Sequence, residues 1–134
     1  MSPPRRVLLC IDDRPALLHL RKTLLETRGY SVVTATNASA AIATLEQSTV
    51  AAVLLDYKTE GMDAGAIAFQ IKRRFPKQPI VLLSAYSEIP GRLLWLIDEY
   101  VMKSEPLEGL VQVIERVIRA SEERQTSESG SPAA

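Results

Sequence analysis

Short apolar segments alternate with segments of helical spacing along the chain. Five segments of four to six residues predict strands: Val7–Ile11, Ser31–Ala35, Val50–Leu55, Ile80–Leu83 and Glu99–Met102. Three of these segments, VLLCI, VAAVLL and IVLL, are continuously apolar, which is typical of strands that helices cover on both faces. The second segment is more polar and suits an edge of the sheet.

The segments between the strands have the spacing of amphipathic helices. Helices are predicted over Pro15–Thr27, Ala38–Gln47, Ala64–Phe75 and Leu107–Glu122, with a short or irregular one near Arg92–Ile97. Strands that alternate with helices need crossover connections, which give a parallel sheet between helix layers. The predicted fold is therefore α/β: a doubly wound, flavodoxin-like sheet of five parallel strands in the order 2-1-3-4-5.

Composition narrows the class of protein. The chain has 134 residues, 46% of them apolar, which suits one domain with a real core. Sixteen basic and sixteen acidic residues leave no net charge, which argues against nucleic-acid binding by this domain. One cysteine and one histidine exclude an intrachain disulfide and a zinc site built from these residues. No stretch is long and apolar enough for a signal peptide or a membrane span, which predicts a cytoplasmic protein.

Residues 1–120 form the predicted domain. The last segment, residues 121–134, lacks apolar periodicity and is rich in serine and glutamate. It is predicted to be a disordered tail or a linker.

Charged and hydroxyl side chains follow the predicted strands. Asp12 and Asp13 come after the first strand, Asp56 after the third, Ser84 after the fourth and Lys103 after the fifth. Ligands bind at the carboxyl ends of strands in this architecture, so these five side chains are expected to converge.

Three neighbouring carboxylates repel one another unless cations join them. Lys103 can offset one charge, and a hard divalent ion such as Mg²⁺ can offset the rest. A carboxylate beside a metal, a lysine and a hydroxyl suits phosphoryl transfer, with Asp56 as the nucleophile and Ser84 and Lys103 stabilising the transferred charge.

The sequence resembles the receiver domain of two-component response regulators over about residues 5–120. The resemblance rests on residues that stand in order at strand ends: Asp12-Asp13, Asp56, Met62-Asp63, Ser84-Ala85 and Tyr100-Val101-Met102-Lys103. It implies that Asp56 accepts a phosphoryl group. It also implies that Asp13 binds Mg²⁺ directly, that Asp12 binds it largely through water, and that the backbone carbonyl of Lys58 completes the protein ligands.

The resemblance implies roles for the remaining residues and for partners. Lys103 would pair with the phosphoryl group, Ser84 would move toward it, and Tyr100 would change rotamer in response. The donor would be a sensor histidine kinase or a histidine phosphotransfer protein. The output would be a conformational shift of the face built from the fourth helix, fifth strand and fifth helix, read by a downstream protein or effector domain. Such a domain is a signalling switch rather than a turnover enzyme.

Several positions depart from the family pattern. Thr59-Glu60 stands where Met-Pro is frequent, and Ser104 stands where proline, usually after a cis peptide bond, is the rule. The fourth helix is about one turn short. Residues 93–97 are apolar on all sides, so most of them are expected in the core, and the others could contact a partner or a second copy of the chain. Lys58 is hypothesised to alter the lifetime of phosphorylated Asp56. The alternative is that Lys58 is a solvated lysine on a loop and has no such role.

Two other classes of function compete with a phosphorylated switch. A receiver-like interaction module that no longer uses phosphate fits Ser104, Thr59-Glu60 and the short fourth helix. An enzyme on a similar sheet is disfavoured: a haloacid-dehalogenase-type phosphatase needs an aspartate where Lys58 stands, and a dinucleotide enzyme needs a glycine-rich turn after the first strand.

Overall fold

The computed structural model describes residues 5–57, 62–85 and 87–129, with side chains up to residue 126. Strands and helices alternate as predicted. The strands are β1 (Val7–Ile11), β2 (Ser31–Ala35), β3 (Ala52–Asp56), β4 (Ile80–Ser84) and β5 (Glu99–Met102). The helices are α1 (Pro15–Glu26), α2 (Ala38–Gln47), α3 (Ala64–Arg74), α4 (Gly91–Leu94) and α5 (Leu107–Ser129).

The five strands form one parallel sheet in the order β2-β1-β3-β4-β5. This confirms the predicted fold class and strand order. β1 and β3 are central neighbours, and the chain leaves them in opposite directions across the sheet, which is the arrangement that opens a crevice at their carboxyl ends.

Each face of the sheet carries its own core, because successive side chains of a strand point to opposite faces. On one face, Leu9, Ile11, Leu55 and Leu82 pack with residues of α2, α3 and α4. On the other face, β1, β3, β4 and β5 residues pack with α1 and α5; these are Leu8, Cys10, Leu54, Val81, Leu83, Val101, Leu18, Leu25, Ile114, Val117 and Ile118. β3 and β4 are buried throughout and β1 is buried from Leu8 onward, as their largely apolar sequences predict.

Local signals fix several helix ends. The Asn37 side chain accepts a hydrogen bond from the Ala40 amide at 2.8 Å and so caps α2. Asp63 caps α3 in the same way through the Ala66 amide at 3.1 Å. Gly29, after α1, has φ +94°, a backbone conformation that side chains disfavour.

The helical backbone of α5 continues to Ser129, seven residues beyond the predicted helix end at Glu122 and into the segment predicted to be a disordered tail or a linker. Residues 122–126 have no apolar stripe, but glutamate, arginine and glutamine are good helix formers, and no glycine or proline interrupts the sequence before Gly130. Gln125 also donates a hydrogen bond to the buried Ser121 hydroxyl one turn earlier, at 3.3 Å.

The helix between β4 and β5 is short, as expected. α4 is a single turn in which the Pro90 carbonyl accepts hydrogen bonds from the Leu93 and Leu94 amides. Leu93 is buried in the core, whereas Trp95, directly after the turn, is 89% exposed. The apolar stretch of residues 93–97 is therefore divided between core and surface.

Candidate functional site

Acidic side chains meet at the carboxyl ends of the two central strands. Asp12 directly follows β1 and Asp56 is the last residue of β3. The two strands are paired up to the residue before each aspartate, so the carboxylates lie side by side. Both are fully buried, as is Ser84 at the end of the next strand, β4. Asp13, next along the chain, stands at the opening of this acidic crevice with a side chain 19% exposed.

Lys103 reaches the crevice from the loop after β5. Its ammonium group lies 2.5 Å from Asp56 Oδ1. The loop is tied to the neighbouring strand by the Lys103 amide, which donates to the Ser84 carbonyl at 2.7 Å. The described residues contain no cis peptide bond, so Lys103 reaches Asp56 from a trans Lys103–Ser104 linkage.

A second cation, Arg14, fills the space between the carboxylates. Its guanidinium binds Asp12 through both oxygens, Nε to Oδ1 at 3.2 Å and Nη2 to Oδ2 at 3.3 Å. Nη2 also donates to Asp56 Oδ2 at 3.1 Å, and Nε lies 4.0 Å from Asp13 Oδ1. The Arg14 amide adds a hydrogen bond to Asp12 Oδ1 at 3.0 Å, so main chain and side chain hold the same carboxylate.

Arg21 completes the charge balance from the inner face of α1. Its Nη1 lies 3.8 Å from Asp12 Oδ2, and its side chain is 16% exposed. Three carboxylates therefore face three cations, namely Arg14, Arg21 and Lys103. Each cation lies within 4.0 Å of at least one carboxylate.

Burial dominates the electrostatics of Asp56. Loss of water raises the pKa of the Asp56 carboxyl above its ordinary value, and the neighbouring Asp12 charge acts in the same direction. Lys103 and Arg14 oppose this by favouring the ionised form, without cancelling it. Conversely, the hydrogen bonds to Asp12 raise the pKa of Arg14 and keep it charged.

The donor set fits a hard divalent cation in its chemistry. Carboxylate oxygens are the ligands that Mg²⁺ prefers, and one guanidinium already contacts Asp12 and Asp56 together while lying 4.0 Å from Asp13. The three carboxylates thus lie around one positively charged group. In the described part of the chain, however, no three acidic, histidine or cysteine side chains are already gathered in metal-binding geometry, and Arg14 lies between them.

The other predicted site residues divide into two groups. Ser84 lies in the crevice wall, at the end of the strand between β3 and β5. Tyr100 lies within β5 and is 44% exposed, away from the carboxylates along the strand. Lys58, predicted to supply a backbone carbonyl ligand, and Thr59-Glu60 lie outside the described residues.

Sequence reasoning missed the two arginines. Arg14 follows the aspartate pair directly, so the same question that found the acids, namely what comes after each strand, could have found it. Arg21 lies two turns further along α1, on the side that faces the sheet, and a helical projection starting from Arg14 could have identified it.

Comparison with known proteins decides the family. The family model of the response regulator receiver domain matches residues 8–115. The chain belongs to this family. It is 29% identical over 124 residues to the transcriptional regulatory protein GlrR of Escherichia coli, and 33% identical over 134 residues to the transcriptional regulatory protein CpxR of Klebsiella pneumoniae.

Solved structures agree with this assignment. The response regulator protein TrrA of Thermotoga maritima, solved in complex with Mg²⁺–BeF, is 29% identical and superposes with a TM-score of 0.76, covering 84% of this chain and 98% of that one. A CheY-like receiver domain protein of Methanospirillum hungatei has the same fold, with a TM-score of 0.81 at 23% identity, covering 90% and 99% of the two chains.

This receiver domain corresponds to part of its longer relatives. The matched segments cover 90% and 93% of the chain but 28% of GlrR and 56% of CpxR. Within the described residues, none of the helices has the length and apolar character needed to cross a membrane.

Proposed function

We propose that this receiver domain accepts a phosphoryl group on Asp56 from a phosphohistidine of a sensor histidine kinase or a histidine phosphotransfer protein. The observation that carries the proposal is a fully buried carboxylate at the end of a central strand, with the Lys103 ammonium 2.5 Å from one oxygen and Asp12 beside it. Burial weakens hydration of the Asp56 carboxylate, which is the nucleophile. Lys103 supplies a fixed positive charge beside the oxygens of the transferred phosphoryl group.

The transfer is a nucleophilic substitution at phosphorus. An Asp56 carboxylate oxygen forms the new P–O bond, the P–N bond to the donor imidazole breaks, and the imidazole keeps the electron pair. Lys103 would then follow the negative charge from the Asp56 carboxylate to the phosphoryl oxygens. The product is an acyl phosphate that water can later hydrolyse, so the domain is a switch rather than a turnover enzyme.

Asp12, Asp13, Asp56 and the Lys58 backbone carbonyl are the proposed holders of Mg²⁺. When bound, the ion supplies positive charge to the oxygens of the transferred group. Asp12 is fixed for this role from its own backbone, because its amide donates to the Ala35 carbonyl at 3.2 Å.

The proposed response uses the side of the domain that carries α4, β5 and α5. Ser84, buried beside the crevice, would move toward the phosphoryl group, and Tyr100, half-exposed on β5, would change rotamer. Phosphorylation of Asp56 would thereby shift the conformational equilibrium of this face. A downstream protein or effector domain would recognise this face. The domain is proposed to work in the cytoplasm. A homodimer through the same face is a further proposal.

The competing proposal is a receiver-like interaction module that does not use phosphate. It is favoured by a single-turn α4 and by a guanidinium that already neutralises the acidic crevice. The two proposals differ in whether Asp56 is modified.

Intact-mass spectrometry after incubation with acetyl phosphate, with and without Mg²⁺, tests the proposal. We expect one Mg²⁺-dependent phosphoryl group on the wild type and none on Asp56→Asn. Asp63→Asn makes the same chemical change at an exposed helix cap and is the matched control; it should be modified like the wild type. No modification of the wild type would support the phosphate-independent module instead. Equal modification of Asp56→Asn would mean that another residue is modified and would contradict the proposal that Asp56 is the acceptor.

A further inference from the structure

We infer that Arg14 is a built-in competitor of the divalent cation: its guanidinium occupies the space between Asp12 and Asp56 and must leave before a metal ion can bind both. This inference rests on the proposed function, because it concerns the ion that the same crevice would take. It makes Arg14 a determinant of metal affinity, a role that the acidic residues alone do not predict.

The geometry supports competition rather than cooperation. Arg14 engages both oxygens of Asp12 and Oδ2 of Asp56, with distances between 3.1 and 3.3 Å. The remaining Asp56 oxygen is held by Lys103. A divalent ion that coordinates Asp12 and Asp56 would need oxygens that are already engaged, so the two cations exclude each other.

Charge balance leads to the same conclusion. Arg14, Arg21 and Lys103 together match the three negative charges of Asp12, Asp13 and Asp56. If a divalent ion bound without displacing Arg14, the buried crevice would carry a net charge of +2, which is unfavourable. Displacement of Arg14 removes one positive charge from the crevice as the ion arrives.

Arg14 is also the cation best placed to leave. Its side chain is 47% exposed, compared with 26% for Lys103 and 16% for Arg21. It starts at the opening of the crevice, at the residue before α1, where rotation about its side-chain bonds carries the guanidinium into water. Asp12 would keep its hydrogen bond from the Arg14 amide, because that contact does not depend on the side chain.

The first test is Mg²⁺ titration by isothermal calorimetry on the wild type and Arg14→Gln. We expect Arg14→Gln to bind Mg²⁺ about three- to tenfold more tightly, because tenfold corresponds to about 1.4 kcal/mol, the order of one partly exposed charge-assisted contact. Arg28→Gln removes the same charge from the exposed pair with Glu108 and serves as the matched control; its affinity should equal that of the wild type. Arg14→Lys, a point charge that cannot bridge both carboxylates as a planar fork does, should lie between.

The second test follows the displaced group itself in the wild-type protein and uses the conservative variant Arg14→Lys only to assign its resonance. The Arg14 Nε–H resonance, assigned by its loss in Arg14→Lys, should move on Mg²⁺ addition to the position of a solvent-exposed arginine. Equal or weaker Mg²⁺ affinity of Arg14→Gln, or an Nε–H resonance that stays in place at saturating Mg²⁺, would overturn the inference.

The two proposals fail in different ways. If the wild type is phosphorylated with acetyl phosphate and Mg²⁺ while Arg14→Gln gains no affinity, the competition is refuted and the proposed function stands. If Arg14→Gln gains affinity and the Nε–H resonance moves, yet no phosphoryl group appears on the wild type at saturating Mg²⁺, competition is supported and the proposed function fails.

Discussion

Asp56→Asn should stabilise the metal-free protein, and the gain should grow with pH. The Asp56 side chain is fully buried, and its loss of water together with the Asp12 charge outweighs the attraction of Lys103 and Arg14, so folding raises the pKa of Asp56 above the ordinary value of 3.8. Asparagine has nearly the same shape but carries no charge that burial can penalise.

The sign and size follow from proton linkage. Below about pH 3.8 the folded and unfolded states both hold the Asp56 proton. As pH rises further, the unfolded chain loses this proton first, so the unfolded state binds fewer protons and the free energy of unfolding falls. The fall continues up to the raised pKa of the folded state, with a slope of at most about 1.4 kcal/mol per pH unit for one group, and then levels off. The stability that protonated Asp56 contributes at low pH is thus lost as pH rises through its folded pKa.

Urea unfolding followed by far-UV circular dichroism, at a series of pH values in EDTA, measures this effect. The quantity to plot is the free energy of unfolding of Asp56→Asn minus that of the wild type, because the subtraction removes the titration of other groups. Asp63→Asn, the same change at an exposed cap, controls for the substitution. A difference that stays flat, or that falls as pH rises, would refute the reasoning and would mean that Lys103 and Arg14 balance or outweigh burial.

Three further predictions concern the core, a helix cap and the thiol. Leu54→Ala should lower the free energy of unfolding by about 2–5 kcal/mol in urea titrations, because Leu54 is fully buried, whereas Leu20→Ala, 54% exposed, should change it by less than about 0.5 kcal/mol. Asn37→Ala should cost about 1 kcal/mol through loss of the cap on α2, and Asn37→Asp should restore most of it; equal stability of all three would contradict the capping role. Burial raises the pKa of Cys10 to about 12, so iodoacetamide at pH 8 should label it in urea but not in the folded protein, as mass spectrometry can check.

The strand pattern could be predicted from the sequence because burial on both faces leaves an unbroken apolar signal. Val7–Ile11 is such a strand and has the bounds that the sequence predicts. Glu99–Met102, a partly exposed edge strand, has its predicted bounds as well. The third strand differs: the sequence predicts Val50–Leu55, and the strand lies at Ala52–Asp56. Apolarity reports burial, whereas a strand is defined by its hydrogen bonds, and the ladder continues into a charged residue at the very end where the site begins.

The acidic crevice could be predicted for the same reason, since strand ends fix backbone positions. Which long side chain folds back into it could not. Arg14 has several rotatable bonds, and the sequence alone does not say whether its guanidinium lies in water or against Asp12 and Asp56. That choice depends on the burial of both carboxylates and on the β1–β3 register, which are properties of the assembled fold.

The position of Trp95 determines which optical signals can be used with this protein. It is the chain's single tryptophan, and it already lies in water beside α4 in the folded state. Its fluorescence should therefore change little when the core melts, and an unfolding curve read from emission alone would miss the transition. The same indole should shift to shorter wavelengths when another molecule covers this surface, which makes it an intrinsic reporter of binding that needs no added label.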